Sequence, residues 1–212
     1  MILIIEKYNN RDMSNNNSID KQEKQAQKAR LCAMGENLVI TQLLQKGWDA
    51  FNANFSLNNY KSIDIVCINN RIPESTEHWW KPKTSFVQVK TSVENNITTG
   101  FSMKQALDKD YLWKMVKGPY VFVSAIKDKI TNQFSFRYFI IPRSVFVKLL
   151  YISNDFYINV IHKNENMVLS APACISISWL EGGQEFSPMH KTHFDNPLDI
   201  SCENEWRNIW ED

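Results

Sequence analysis

The sequence predicts an α/β domain built on a mixed central sheet with helices on both sides, followed by a C-terminal extension. Three observations carry this. Residues 20–46 contain few helix breakers and close on Gly47, a C-terminal stop signal. Residues 62–69 (SIDIVCIN), 84–92 (TSFVQVKTS) and 120–126 (YVFVSAI) are short runs rich in β-branched and aromatic residues, bounded by polar or proline-containing segments. Helical and strand patterns follow one another in the order helix, three strands, helix, two strands, helix, which suits a sheet layered between helices.

Taken in order, residues 1–19 end in an Asn/Ser-rich patch and are expected to form a flexible arm; MILII at its start is a candidate edge strand or subunit contact. Residues 20–150 form the expected core domain. Asp20 is a candidate N-cap for the long helix, and Lys21, Lys24, Lys28 and Arg30 open it, as a solvated face or as phosphate contacts. Residues 48–55 alternate well enough for a strand, and 58–61 form a turn before SIDIVCIN. A polar insertion with adjacent Trp79 and Trp80 leads to the third strand. Residues 93–118 predict a loop and one or two short helices, with Phe101, Leu107, Leu112 and Met115 as apolar positions. Residues 120–126 and 134–141 are strands joined by a turn, and Ser144 is a candidate cap for a helix running to Leu150. In the extension, 151–212, residues 156–162 and 167–179 predict strands, and 203–210 a short amphipathic helix with Trp206 and Trp210 on one face.

With 212 residues and 43% apolar content, the chain can bury one substantial core. A net charge of +1 excludes a grossly basic coating protein and leaves local basic patches open. Cys32, Cys67, Cys174 and Cys202 form no CxxC pair, so reduced thiols of a cytoplasmic protein are expected. No run of about 18 apolar residues suggests a membrane span.

Against this background a few charges stand out. At 100° per residue, Val39, Cys32, Leu43, Ile40 and Ala33 fall within about 60° of Glu36, placing a glutamate at the centre of the helix's apolar stripe. Gly35 beside it would let the helix approach a sheet closely, although glycine costs about 1 kcal/mol relative to alanine there. Side chains alternate along a strand, so Asp64 shares a face with Ser62 and Val66, and Gln88 and Lys90 with Phe86 and Ser92. Charges in such core-like runs are seldom found unless paired or bound to metal.

A helical Gly35-Glu36 pair, Asp64 in SIDIV, and Gln88 and Lys90 in QVKTS together resemble the PD-(D/E)XK nucleases, the superfamily with restriction-endonuclease-like folds. The resemblance covers roughly residues 25–141 and is silent about both termini. Ile63 stands in place of the usual proline, and Gln88 where most members carry Glu or Asp; Gln-x-Lys variants occur among working members. It implies a restriction-endonuclease-like core, a metal-dependent endonuclease acting on double-stranded DNA, Mg²⁺ or Mn²⁺ as cofactor with no small-molecule cofactor, and a site of Glu36, Asp64, Gln88 and Lys90. It further implies Asp64 as principal metal ligand and the Val89 carbonyl as the second.

The residues give the same chemistry independently. Phosphodiester hydrolysis needs an activated water, stabilisation of phosphoryl charge and help for the leaving alkoxide, all of which a divalent ion held by oxygen ligands supplies. Glu36 would bind it directly, through water, or with a second ion; Gln88 offers a neutral carbonyl oxygen; Lys90 would orient or deprotonate the nucleophile. Lys104, Lys109 and Lys114, with Lys117, lie on a probable helix within reach of a DNA backbone, and Trp79–Trp80 beside Arg71, Lys81 and Lys83 could meet bases. His190 and His193, with Cys202 and His162, match no standard zinc spacing. Two-strand cleavage suits a homodimer. The alternatives are a purely structural Asp64–Lys90 ion pair, a decayed nuclease fold used as a DNA-binding or assembly module, and an RNA substrate.

Overall fold

A computed structural model describes residues 2–54, 62–69, 83–163, 168–187 and 191–210, with side chains from Lys21 onward. The insertion carrying Arg71, Trp79, Trp80 and Lys81, the 58–61 turn and His190 lie outside the described residues. The chain divides into two units, Met1–Met34 and Gly35–Asp212. The first unit is helical, being the N-terminal part of α1 (Ile2–Gln45), so the helix starts at Ile2 and not at the expected Asp20. Lys21, Lys24, Lys28 and Arg30 are all solvent-exposed.

In the second unit, α1 buries Val39 and Leu43 completely, while Glu36 and Ile40 are half-buried. Ala33 is exposed, so the buried stripe begins later than the periodicity suggests. The helix ends as expected: Gly47 takes φ 85°, its N–H bonds the Leu44 carbonyl (3.0 Å) and the Trp48 N–H bonds that of Leu43 (3.0 Å). This crossed pair of bonds needs a left-handed residue, which glycine adopts without steric cost.

The main sheet has five strands: β1 (Asp49–Asn52), β2 (Ile65–Asn69), β3 (Lys83–Ser92), β5 (Tyr120–Lys127) and β6 (Phe134–Ile141), in spatial order β1-β2-β3-β5-β6. Among the described strands only β3 and β5 pair in parallel; the other pairs of this sheet are antiparallel, which makes it mixed. Alternation feeds two cores. Tyr120, Phe122, Phe139 and Ile141 pack with Phe146, Leu149 and Leu150 of α4 (Arg143–Phe156) and with Leu112 of α3 (Lys109–Met115). Val87, Val89, Val121, Val123 and Ile140 pack on the opposite face with Val39 and Leu43 of α1. Phe146 is fully buried, its ring stacked on Tyr120 at 3.8 Å.

Several elements differ from expectation. The segment after β3 is not a loop but a strand, β4 (Asn96–Ser102), which pairs with β7 (Pro172–Ser176) in a second, two-stranded sheet. Its alternation is strict, with Ile97, Thr99 and Phe101 buried and the residues between them exposed. The short helix α2 (Met103–Ala106) follows, started by a capping box between Ser102 and Gln105. Ser144 caps nothing: α4 begins from Pro142 without a side-chain cap bond and runs on to Phe156. The expected strand at 156–162 is the end of α4 and a π-helical turn (Tyr157–Ile161). There helical periodicity overrides β-like composition, because Phe146, Leu149, Leu150 and Ser153 bury one continuous stripe that Phe156 and Tyr157 extend onto Phe186. The expected strand at 167–179 shrinks to β7, after which Ile177–Leu180 forms a helical turn, α5. Residues 203–210 supply only a 3₁₀ turn (Trp206–Ile209), with Trp206 near Tyr138 (5.7 Å) and Trp210 near Trp48 (4.5 Å). All four cysteines are free thiols, and no described helix is long and apolar enough to cross a membrane.

Gly35 does permit a close approach. A Cβ added to it would lie 1.8 Å from Thr91 Oγ1 on β3. Gly35→Ala is therefore expected to destabilise the protein by about 1–3 kcal/mol despite alanine's better helix propensity. Adding Thr91→Ala should recover much of that loss, because it removes the clashing hydroxyl; denaturant unfolding of the two single variants and the double variant measures the coupling.

Candidate active site

The site is organised by the place where β2 begins. Ser62 takes φ 75° and Asp64 sits in a bend just before Ile65, so Asp64 is not inside the strand as its sequence context suggests. Its backbone is nevertheless pinned on both sides: the Asp64 N–H bonds the Val87 carbonyl (3.0 Å) and its carbonyl accepts from the Ala53 N–H (2.8 Å). The pairing of Ile65 with Val87 sets Asp64 opposite Gln88. Ahead of Ile65, where β2 has not yet begun, the Val89 N–H would lack a ladder partner, and Asp64 Oδ2 accepts it at 2.8 Å. The same oxygen accepts a close hydrogen bond from Gln88 Nε2. The carboxylate thus stands in for the missing continuation of the strand. The N–H and C=O of one strand residue leave on the same edge, so the Val89 carbonyl also faces this end of β2.

Glu36 reaches the group from α1. Its Oε2 accepts from Asn52 Nδ2 of β1 at 2.8 Å. Burial raises the Glu36 carboxyl above its ordinary range and the nearby Asp64 charge raises it further, against the lowering pull of Asn52 and Lys90. Burial also raises Asp64, with Lys90 and the Val89 N–H opposing. The two acids therefore lie close enough to repel, and the half-buried Lys90 acts on both. Tyr120, beside Gln88 on β5, has its phenol raised by burial and by Asp64.

Glu36, Asp64, Gln88, Val89 and Lys90, scattered in the sequence, thus meet in one place. Asn52 belongs with them although sequence reasoning passed over it; the available signal was a polar residue in the half-buried register of a strand. Thr91 does not belong, because it lies on the opposite face against Gly35, and Ser92 accepts from the Glu94 N–H (2.9 Å) at the strand's end.

The donor set can be tested against a divalent cation. Gln88 is buried (5% exposed), and its Oε1 has no hydrogen-bond partner among the described residues. An orphaned carbonyl oxygen, two mutually repelling carboxylates and a main-chain carbonyl are hard oxygen donors of the kind Mg²⁺ or Mn²⁺ takes. Among the described residues no group of three or more His, Cys, Asp or Glu could hold a metal, so the acidic charge here is limited to two carboxylates. The described histidine and cysteine candidates do not gather: His193 pairs with exposed Asp195 (3.2 Å), His162 packs on Tyr157, and the buried Cys202 thiol, pushed up to about 12, donates to the Leu180 carbonyl.

Lys104, Lys109 and Lys114 are exposed on α2 and α3, outside the carboxylate group. The Lys109 ammonium lies over the Tyr151 ring (4.1 Å), and Lys117 donates to the Lys114 carbonyl (2.6 Å).

Fold and site together define a mixed-sheet α/β domain with two carboxylates, an amide and an ammonium gathered where a short inner strand begins. Comparison of the chain with known protein families, curated proteins and solved structures finds no match.

Proposed function

We propose that the protein is a metal-dependent endonuclease that hydrolyses phosphodiester bonds in DNA, acting as a homodimer. One observation carries the reading: Asp64, Gln88 and the Val89 main chain are joined by hydrogen bonds where β2 begins, with Glu36 and Lys90 electrostatically coupled to them. Asp64, the Val89 carbonyl, the orphaned Gln88 Oε1 and Glu36 would hold Mg²⁺ or Mn²⁺. When bound, such an ion supplies Lewis-acid stabilisation of phosphoryl charge and lowers the pKa of a water. The chain's own part is positional. Asn52 orients Glu36, the Val89 N–H fixes one Asp64 oxygen and leaves the other available, and Lys90 offers a cation to the phosphate or to the attacking water. Lys104, Lys109 and Lys114 would contact the DNA backbone.

Plasmid cleavage in Mg²⁺ and Mn²⁺ tests the reading. Lys90→Ala should lower the rate by about 100-fold, the scale of a lost charge-stabilising or proton-transfer group. Lys104→Ala should only weaken binding and flatten its salt dependence. Loss of cleavage in both variants alike, or in neither, would sink the assignment of Lys90.

A second reading has an observation of its own. Gln88 donates to Asp64 and satisfies that carboxylate without any cation, as a nuclease fold retained as a DNA-binding or assembly module would allow. If Mg²⁺ and Mn²⁺ bind wild type and Asp64→Ala equally, this module reading replaces the first. Faster cleavage of structured RNA than of duplex DNA would change the substrate and leave the chemistry intact.

A further inference from the structure

We infer that the strand carrying the scissile bond is unpaired where it enters the site, its bases stacking on a platform made by Phe51 and Phe86. This names the substrate class of the site described above and rests on that reading.

The pairing register sets Phe51 opposite Val66 and Val66 opposite Phe86. Directly opposed residues point to one face of a sheet, so the three side chains form a single apolar row across β1, β2 and β3. Gln88 lies two residues beyond Phe86 on the same strand and face, about 6.6 Å along it, and is bonded to Asp64. The row therefore runs into the candidate phosphodiester site.

Its exposure is unequal to that of the rest of the face. Tyr120, Phe122, Phe139 and Ile141 of β5 and β6 are buried beneath the helical layer, whereas Phe51 is 51% and Phe86 41% exposed. Large aromatic rings half-exposed on a sheet face suit stacking. A duplex keeps its base faces turned inward and offers only edges and phosphates, so the partner that fits these rings is an unpaired strand, whose bases present their π-faces. The occupant is thus the single-stranded arm of a DNA substrate, whose phosphate lies at Asp64 and whose neighbouring bases lie over Phe86 and Phe51.

The test uses the full chain and two readouts. The first is cleavage, in Mg²⁺ and in Mn²⁺, of a duplex carrying a single-stranded arm beside a fully paired duplex of the same sequence. The armed substrate should be cut at least 10-fold faster, and Phe86→Ala and Phe51→Ala should each weaken its binding about 5- to 100-fold, the range of one base–aromatic stack. Ile126→Ala, which removes an exposed side chain on β5, should change neither. The second readout is fluorescence of 2-aminopurine placed at successive positions of the arm and bound to the inactive Asp64→Asn variant. Quenching at one or two adjacent positions, relieved by adding Phe86→Ala, supports stacking.

Equal cleavage of both substrates, or bound arms with unquenched 2-aminopurine at every position, overturns the inference while leaving the hydrolase reading standing. Absence of cleavage from both substrates overturns the hydrolase reading, and the fluorescence then decides stacking alone. If Phe51→Ala with Phe86→Ala instead changes the sedimentation of the free protein and not the quenching, the row is a contact between copies and the inference falls.

Discussion

Asp64→Asn should remove metal-dependent DNA cleavage, by about 1,000-fold or more, and at the same time raise the melting temperature at neutral pH. Both effects follow from where the carboxylate sits. On the proposed reading it is the principal cation ligand, and an amide of the same shape offers one neutral oxygen in place of a charged pair. For folding, the charge is a liability: burial holds both carboxyls above their ordinary range, and the Asp64 charge raises Glu36 further. The substitution keeps an acceptor for the Val89 N–H. That amide oxygen, in the place of Asp64 Oδ2, also keeps the bond from Gln88 Nε2, so both bonds persist without the buried charge.

The sign of the pH dependence follows from the same facts. A carboxyl whose pKa is higher in the folded state makes the folded protein bind more protons than the unfolded chain through the interval between the two values. Stability from this source therefore falls as pH rises through that interval, and the penalty is complete above the raised folded value. It disappears below the ordinary carboxylate range, where both states are protonated. Thermal unfolding should show Asp64→Asn melting a few degrees above wild type at pH 7, on a scale of about 2–4 °C per kcal/mol for a domain of this size. The difference should shrink as pH falls into the carboxylate range. An unchanged or lower melting temperature at pH 7 would show that Asp64 is held by its partners more strongly than burial opposes it.

How much of this was legible in the sequence depends on the residue. Glu36 could be found because helical periodicity is a strong signal and a charge inside an apolar stripe is an anomaly; Val39 and Leu43 are indeed the helix's buried residues. Gln88 and Lys90 could be found because β3 is long and alternates. Asp64 stands out in the sequence as a strand carboxylate, but it precedes the strand and plugs its start; that role needs the register with β3, which no local pattern encodes. β4 was missed although its alternation was present, because Asn, Thr and Gly gave NITTGFS the look of a loop and its partner β7 lies far along the chain. Residues 157–161 read as a strand because Tyr, Ile and Val favour strands locally, while the stripe that makes the segment helical belongs to α4. Asn52 acquires meaning only once Glu36 is across from it.

Gln88→Glu is the substitution that separates a working cation site from a decayed one. Gln88 is buried and donates its amide hydrogen to Asp64, so it holds the carboxylate as a neutral partner. A glutamate there turns that donor into a third acidic group facing two others. Without divalent ions this should cost about 3–5 kcal/mol, the scale of an uncompensated buried charge, and lower the melting temperature on the order of 10 °C. The loss should be greatest at high pH, because protonation of the new side chain restores a donor toward Asp64. With Mn²⁺ present the order reverses in the quantity that matters. Three carboxylates attract a divalent ion more strongly than two, and a ligand at 100 times its Kd stabilises the folded state by about 2.7 kcal/mol. The rise in melting temperature on adding Mn²⁺ should therefore be larger for Gln88→Glu than for wild type, and calorimetric titration should give a Kd at least 10-fold lower. If the variant melts low in the absence of metal and Mn²⁺ recovers none of the loss, these oxygens do not converge on a cation. The hydrogen bond from Gln88 to Asp64 is then the end state of the site, and a protein that binds DNA without cutting it becomes the better account of the same geometry.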